Sequence, residues 1–132
     1  GVFRRQRQMC IRDRYGAALS LMTLDSELCL KIINSMEDRL WSDYVTHYYL
    51  TCIVGQREFS EKSYLVRSAL AETTPQYTKS RVAAAWACLK LELYDQLELI
   101  YELSNTAHWE PLRWSCQQVF ARMIDRQQIS NK

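Results

Sequence analysis

The residues of this chain best suited to chemistry are its thiols and imidazoles. Cys29, Cys52, Cys88 and Cys116 accompany His47 and His108, and a thiol beside an imidazole can serve as a nucleophile. The same residue types bind zinc when the ligands come at short spacings. The chain has no CxxC, and neither histidine stands close to a cysteine at ligand spacing. Cys10 falls in the basic segment near the start of the chain; each of the other four cysteines lies instead within an apolar helical pattern, where it behaves as a small hydrophobe, so all four are expected to be buried structural thiols. A thiol-dependent enzyme pairing Cys88 or Cys116 with His47 or His108 stays as an alternative that the spacing does not require. There is no glycine-rich phosphate loop, HExxH pair, nucleophile elbow or pair of carboxylates at a turn. The expectation is a protein that is not an enzyme and uses neither cofactor nor metal. The cysteines form no disulfide framework, which favours an intracellular, cytoplasmic setting.

Recognition is the other chemistry available. Tyr and Arg are enriched where binding energy concentrates, and Lys serves mainly at the rim. Tyr44, His47, Thr51, Arg81 and Lys90 are polar or aromatic side chains off the apolar stripes, and are the candidates for partner binding. Ordinary solvated helix surface is the competing reading for each. Tyr44, Tyr48 and Tyr49 also suggest a ligand cage, although core packing accounts for Tyr48 and Tyr49 more simply. Trp109 and Trp114 suit a cover over the end of a helical stack, or a contact with further sequence.

The elements carrying these residues follow from the apolar period of three and four. "DSELCLKIINSM" is capped by Asp25, with Leu28, Ile32 and Met36 on one stripe. "DYVTHYYLTCIV" places Val45, Tyr48, Tyr49, Cys52 and Ile53 on a face and stops at Gly55. "SEKSYLVRSALAETT" takes Ser60 as cap and Tyr64, Leu65, Ser68 and Ala69 as its stripe. "TPQYTKSRVAAAWACLKLEL" starts with Thr74 as cap and Pro75 at the first helical position, and its seam is Val82, Ala85, Trp86 and Leu89. "YDQLELIYELS" presents Leu97, Ile100, Tyr101 and Ser104. "EPLRWSCQQVFARMIDRQQ" presents Leu112, Cys116, Val119, Phe120 and Met123. A further helix is expected in "GAALSLM". Only three glycines and two prolines punctuate the chain, too few for a many-stranded sheet. The fold class expected is all-α, with short joints making successive helices antiparallel neighbours. No apolar run approaches the ~20 residues of a membrane span.

The segment from Arg4 to Arg14, "RRQRQMCIRDR", carries five arginines and one acid and suits a basic arm for nucleic acid. It also resembles the in-frame translation of a transposase adapter used to prepare sequencing libraries, a match that extends over all eleven positions. A transit peptide fits less well, because the segment has no serine and no helical apolar face. Residues 1–14 are therefore expected to be non-native and disordered or irregular, and residues 15–132 to form one α-helical domain truncated at its N-terminus, the C-terminal part of a longer protein. The whole chain has 17 basic and 15 acidic residues; setting aside residues 1–14 removes five arginines and Asp13 and leaves 12 against 14. The charge balance and the cluster that favour nucleic acid both disappear, so no nucleic-acid partner is expected unless the basic segment is native.

An offset of 35 residues brings Phe59 onto Tyr94 and aligns "YYLTCIVGQREFSEKSYLVRSAL" with "AAWACLKLELYDQLELIYELS". Periods of this size mark helix–turn–helix solenoids. The two segments resemble tetratricopeptide-type repeats: Gly55 and Phe59 match the turn, Ala69 the small position between helices, and Tyr94 and Tyr101 the second unit. Glu92 departs from the usual turn glycine, and Lys62 and Leu97 stand where alanine is usual. HEAT-like repeats are the runner-up. The resemblance implies antiparallel hairpins stacked as a short right-handed solenoid that binds a peptide or amphipathic helix of another protein. A small chaperone of the type III secretion kind, holding an amphipathic helix, is a narrower form of the same reading. If a preceding repeat is missing, Leu19, Leu21 and Leu24 would be left exposed and self-association would follow.

Overall fold

Helix α1 (Ser26–Met36) starts where the Asp25 carboxylate accepts the Leu28 N–H at 3.0 Å, the cap read from the sequence. Helix α2 (Tyr44–Gln56) starts the same way, with Asp43 accepting from Val45 and Thr46. Helices α3 (Ser63–Ala71), α4 (Thr78–Leu91) and α5 (Leu97–Thr106) are each entered through one 3-10 turn, at Ser60–Lys62, Pro75–Tyr77 and Tyr94–Gln96. Helix α6 (Glu110–Ser130) has Glu110 in its first turn, where a carboxylate suits the helix dipole. The computed structural model describes residues 23–37 and 43–130, among which there is no strand: the chain is all-α. The segment from Arg4 to Arg14, the helix expected in "GAALSLM", and Leu19 and Leu21 lie outside the described residues.

Two expected caps are not made. Neither Ser60 nor Thr74 bonds a backbone N–H from its side chain. Thr74 instead donates its hydroxyl to the Glu72 carboxylate at 2.5 Å. Gly55 does not end α2 either: it is helical and buried, and a Cβ there would meet the Ala87 Cβ at 2.7 Å. Its missing side chain lets α2 and α4 approach closely.

That close approach organises the molecule. Helix α4 packs on α2 and α3, and α6 packs on α4 and α5. Small side chains fill the seams, with Ala84, Ala85, Ala87 and Cys88 of α4 buried beside Leu50, Ile53 and Val54 of α2. The expected stripes are corrected accordingly. In α1 the buried residues are Cys29 and Ile33, one position beyond those predicted, and Leu28 is exposed. In α2, Thr46, His47, Leu50 and Thr51 go inward, and Tyr48 and Cys52 stay only half-buried. Tyr64 and Tyr101 are exposed, while Val66, Leu70 and Leu103 take the core. The α6 stripe holds at Leu112, Cys116, Val119 and Met123, with Phe120 half-buried.

The turns after α2 and α4 repeat bond for bond. Phe59 N–H donates to the Val54 carbonyl and Leu93 N–H to the Cys88 carbonyl, both at 3.0 Å. Ser60 bonds back to Glu58, and Tyr94 to Glu92; Lys62 bonds to Phe59, and Gln96 to Leu93. Glu58 and Glu92 occupy the same left-handed position, with φ of 54° and 55°. Every pair is 34 residues apart, so the register is one residue shorter than the offset that aligns Phe59 with Tyr94. Phe59 matches Leu93, and both are buried. Side chains of the following helix also close each second helix's last carbonyls. Arg81 Nε donates to the Leu70 carbonyl at 2.9 Å, and Gln117 Nε2 to the Ser104 carbonyl at 3.0 Å, again 34 residues on for the acceptors.

Candidate functional site

Tyr44, Tyr48, Cys52 and Gln56 recur every fourth residue along α2, so they share one stripe of that helix. Helix α4 sets Lys79, Val82, Trp86 and Lys90 beside them at the same three-and-four spacing. Because α2 and α4 pack closely, the two stripes face the same side and border two adjoining cavities. The first, of about 560 Å³, is lined by Tyr44, Tyr48, Tyr49, Pro75, Lys79 and Trp109 among others. The second, of about 420 Å³, is lined by Cys52, Val82, Trp86, Lys90, Arg122 and Arg126 among others, and Tyr48 borders both. Together they form a trough with an aromatic end and a cationic end.

The aromatic end is open to solvent: Tyr44 is 54% exposed and Trp109 42%. Tyr48 and Tyr49 stand 5.3 Å apart at a tilt, both half-buried, with Tyr49 packed against the core. At the cationic end the Arg122 guanidinium lies 5.2 Å from the Trp86 ring centre. Arg126 Nη1 donates to the Leu89 carbonyl at 3.0 Å, which holds the side chain in place and uses one of its five N–H donors. The charged residues lining both cavities are all basic. Among the described residues none of them is ion-paired.

The five candidates from the sequence separate. Tyr44 and Lys90 line the trough. His47 and Thr51 are 2% and 3% exposed, so neither offers side-chain atoms to a partner at this surface. His47 Nδ1 is instead paired with Ser80 Oγ at 2.8 Å, with the Tyr77 ring edge-on at 5.1 Å. Burial pulls the imidazole below its ordinary pKa, against a weaker opposing pull from Glu72. Thr51 donates to the His47 carbonyl at 2.7 Å. Arg81 is half-buried on the α3 carbonyl described above, and burial lowers its pKa. Sequence reasoning weighed Tyr48 for a ligand cage but preferred the core for it, and did not name Lys79, Trp86, Arg122 and Arg126 as site residues. The every-fourth-residue stripe of α2 is the signal that would have kept Tyr48 in the site.

Cys29, Cys88 and Cys116 are sealed in the core. Burial pushes the Cys88 thiol up to about 12 and that of Cys116 up to about 11, so both are protonated at neutral pH. Cys52 is only half-buried and borders the trough, which corrects its expected place in the core. Burial raises its thiol as well, opposed by a hydrogen bond with Tyr48. Among the described residues no three His, Cys, Asp or Glu side chains gather as a metal site requires. No helix among them is long and apolar enough to cross a membrane. Compared with protein-family models and with curated proteins, the chain has no match.

Proposed function

We propose that this protein is a helical-repeat module of tetratricopeptide type that binds a segment of another protein in the α2–α4–α6 trough. The observation that carries the reading is the continuity of the α2 stripe Tyr44, Tyr48, Cys52 and Gln56 along two adjoining cavities that share Tyr48 as a lining residue. A repeat assignment is supported by the identical hydrogen-bonded turns 34 residues apart, a period characteristic of such arrays. Proteins that expose aromatic side chains along a preformed concavity gain affinity from burying them, and Tyr and Trp are favoured anchors. The narrower reading, a chaperone holding an amphipathic helix, draws on the same continuity and differs in requiring a helical occupant.

The test is selection from a random twelve-residue peptide display library against the full chain. Selected peptides should lose about tenfold or more in affinity when Tyr44→Ala and Trp109→Ala are combined, since each removes an exposed anchor without opening the core. Peptides that bind this double variant as well as the parent would overturn the trough as the binding site. Circular dichroism of the bound peptides separates a helical occupant from an extended one.

A further inference from the structure

The trough is electrostatically one-sided although the chain around it is not. Residues 15–132 carry 12 basic and 14 acidic side chains, yet Lys79, Lys90, Arg122 and Arg126 all border the trough without a carboxylate among its lining residues. Three of these four cations lie at the end away from Tyr44 and Trp109. Arg122 and Arg126 are held there in advance, one by Trp86 and the other by the Leu89 carbonyl. A ligand therefore meets ordered positive charge, and less side-chain entropy is lost on binding. An aromatic cage for a cation is disfavoured by Lys79, the charged residue lining the cavity that holds the tyrosines.

We infer that the occupant is an acidic–apolar segment of another protein, its aromatic or aliphatic side chains seated at Tyr44 and Trp109 and its carboxylates at Lys90, Arg122 and Arg126. This inference rests on the trough being the binding site. From Tyr44 to Gln56 the α2 stripe runs about 18 Å at the helical rise of ~1.5 Å per residue. An extended segment covers that length in about six residues at ~3.3 Å each. Apolar anchors and carboxylates must accordingly fall within one short stretch. Single-stranded nucleic acid shares the preference for aromatics and cations, but it needs positive charge all along its backbone. The aromatic half of the trough supplies only Lys79.

Fluorescein-labelled heptapeptides test this by anisotropy with the full chain. Each begins with Leu and Trp separated by Gly and continues with four Glu, four Gln or four Lys. A ten-nucleotide oligothymidylate is the fourth probe. The Glu peptide should bind about tenfold or more tightly than the Gln peptide, with the advantage shrinking as salt is raised. Lys90→Gln with Arg122→Gln should abolish most of that advantage, so that the Glu and Gln peptides bind this variant within about twofold of each other. This pair leaves Arg126 on the α4 carbonyl, and unaltered circular dichroism checks the fold. Equal binding of the Glu and Gln peptides would overturn the acidic inference while the trough could still stand on its display test. Preference for the Lys peptide, tighter binding of the oligothymidylate, or no binding of any probe would overturn it as well.

Discussion

Glu58 and Glu92 adopt a backbone conformation that suits neither of them. At φ of 54° and 55° a residue with a Cβ crowds its own carbonyl, at roughly 1–2 kcal/mol relative to the right-handed helix. Glycine avoids the crowding but loses more freedom on folding. For Glu92→Gly the first effect should exceed the second, because Glu92 forms no side-chain bond that would be lost and its N–H is already committed to the Leu89 carbonyl. We expect a gain of about 0.5–1 kcal/mol, a rise of a few degrees in Tm, measured by thermal and urea unfolding. An unchanged or lower Tm would mean that the turn after α4 is not held in the left-handed region. Gly55 shows the complementary case: its φ is ordinary, and a side chain is excluded by Ala87 rather than by the backbone. The glycine that a turn would favour is thus absent from both turns, while the glycine present serves helix packing.

At the scale of elements, six helical segments were legible from the apolar period, although the caps expected at Ser60 and Thr74 do not form. Asp25 caps α1 as expected, and the α6 residues Leu112, Cys116, Val119 and Met123 do line the core. The faces of α2 and α3 were not legible, for a physical reason. Size and hydrophobicity favour Tyr48 for the interior, but α2 and α4, drawn together at Gly55 and Ala87, leave room for small side chains along their seam and keep the Tyr48 ring at its edge; Tyr64 of α3 is exposed as well. The trough follows from that displacement, which is why His47 and Thr51 were misplaced along with the core. Helix α1 depends on polar bonds that no periodicity reveals. Lys62 Nζ donates to Asn34 Oδ1 and pairs with Glu37 at 2.5 Å, and Tyr64 OH also donates to Glu37. Burial alone would raise the Glu37 carboxyl; hydrogen bonds from Lys62 and Tyr64 outweigh it and hold the group below its ordinary pKa. A carboxylate with a lowered folded-state pKa contributes stability above its unfolded value of about 4.3, and loses it as pH falls through the folded value. The urea midpoint of the parent should therefore fall more steeply below about pH 4.5 than that of Glu37→Gln, which should be less stable than the parent at pH 7. Parallel pH profiles for the two would remove the ion pair as the anchor of α1.

From α2 to α6, contacts run between helices near one another in the chain, and α4 lies at their centre, touching α2, α3 and α6. Stability in such an arrangement is a sum of local terms and interfaces, so segments with fewer partners open first. Helix α1 buries only Cys29 and Ile33 fully, packs Leu30, Ile32 and Met36 partly against the core, and is also tied through Lys62 and a bond from Arg57 to Ser26. Helix α4 buries six residues between its neighbours. Hydrogen exchange followed by mass spectrometry should show α1 exchanging fastest of the described helices and α4 slowest. The ordering bears directly on the binding proposed above, since α2 and α4 carry most of the trough's wall. If α4 exchanges only through the rarest openings, the wall it forms exists before any ligand arrives, and binding adds protection to α2 and α6 without reorganising the helices. Equal exchange in α1 and α4 would mean a single cooperative unit, in which loosening α1 by acid also dissolves the trough.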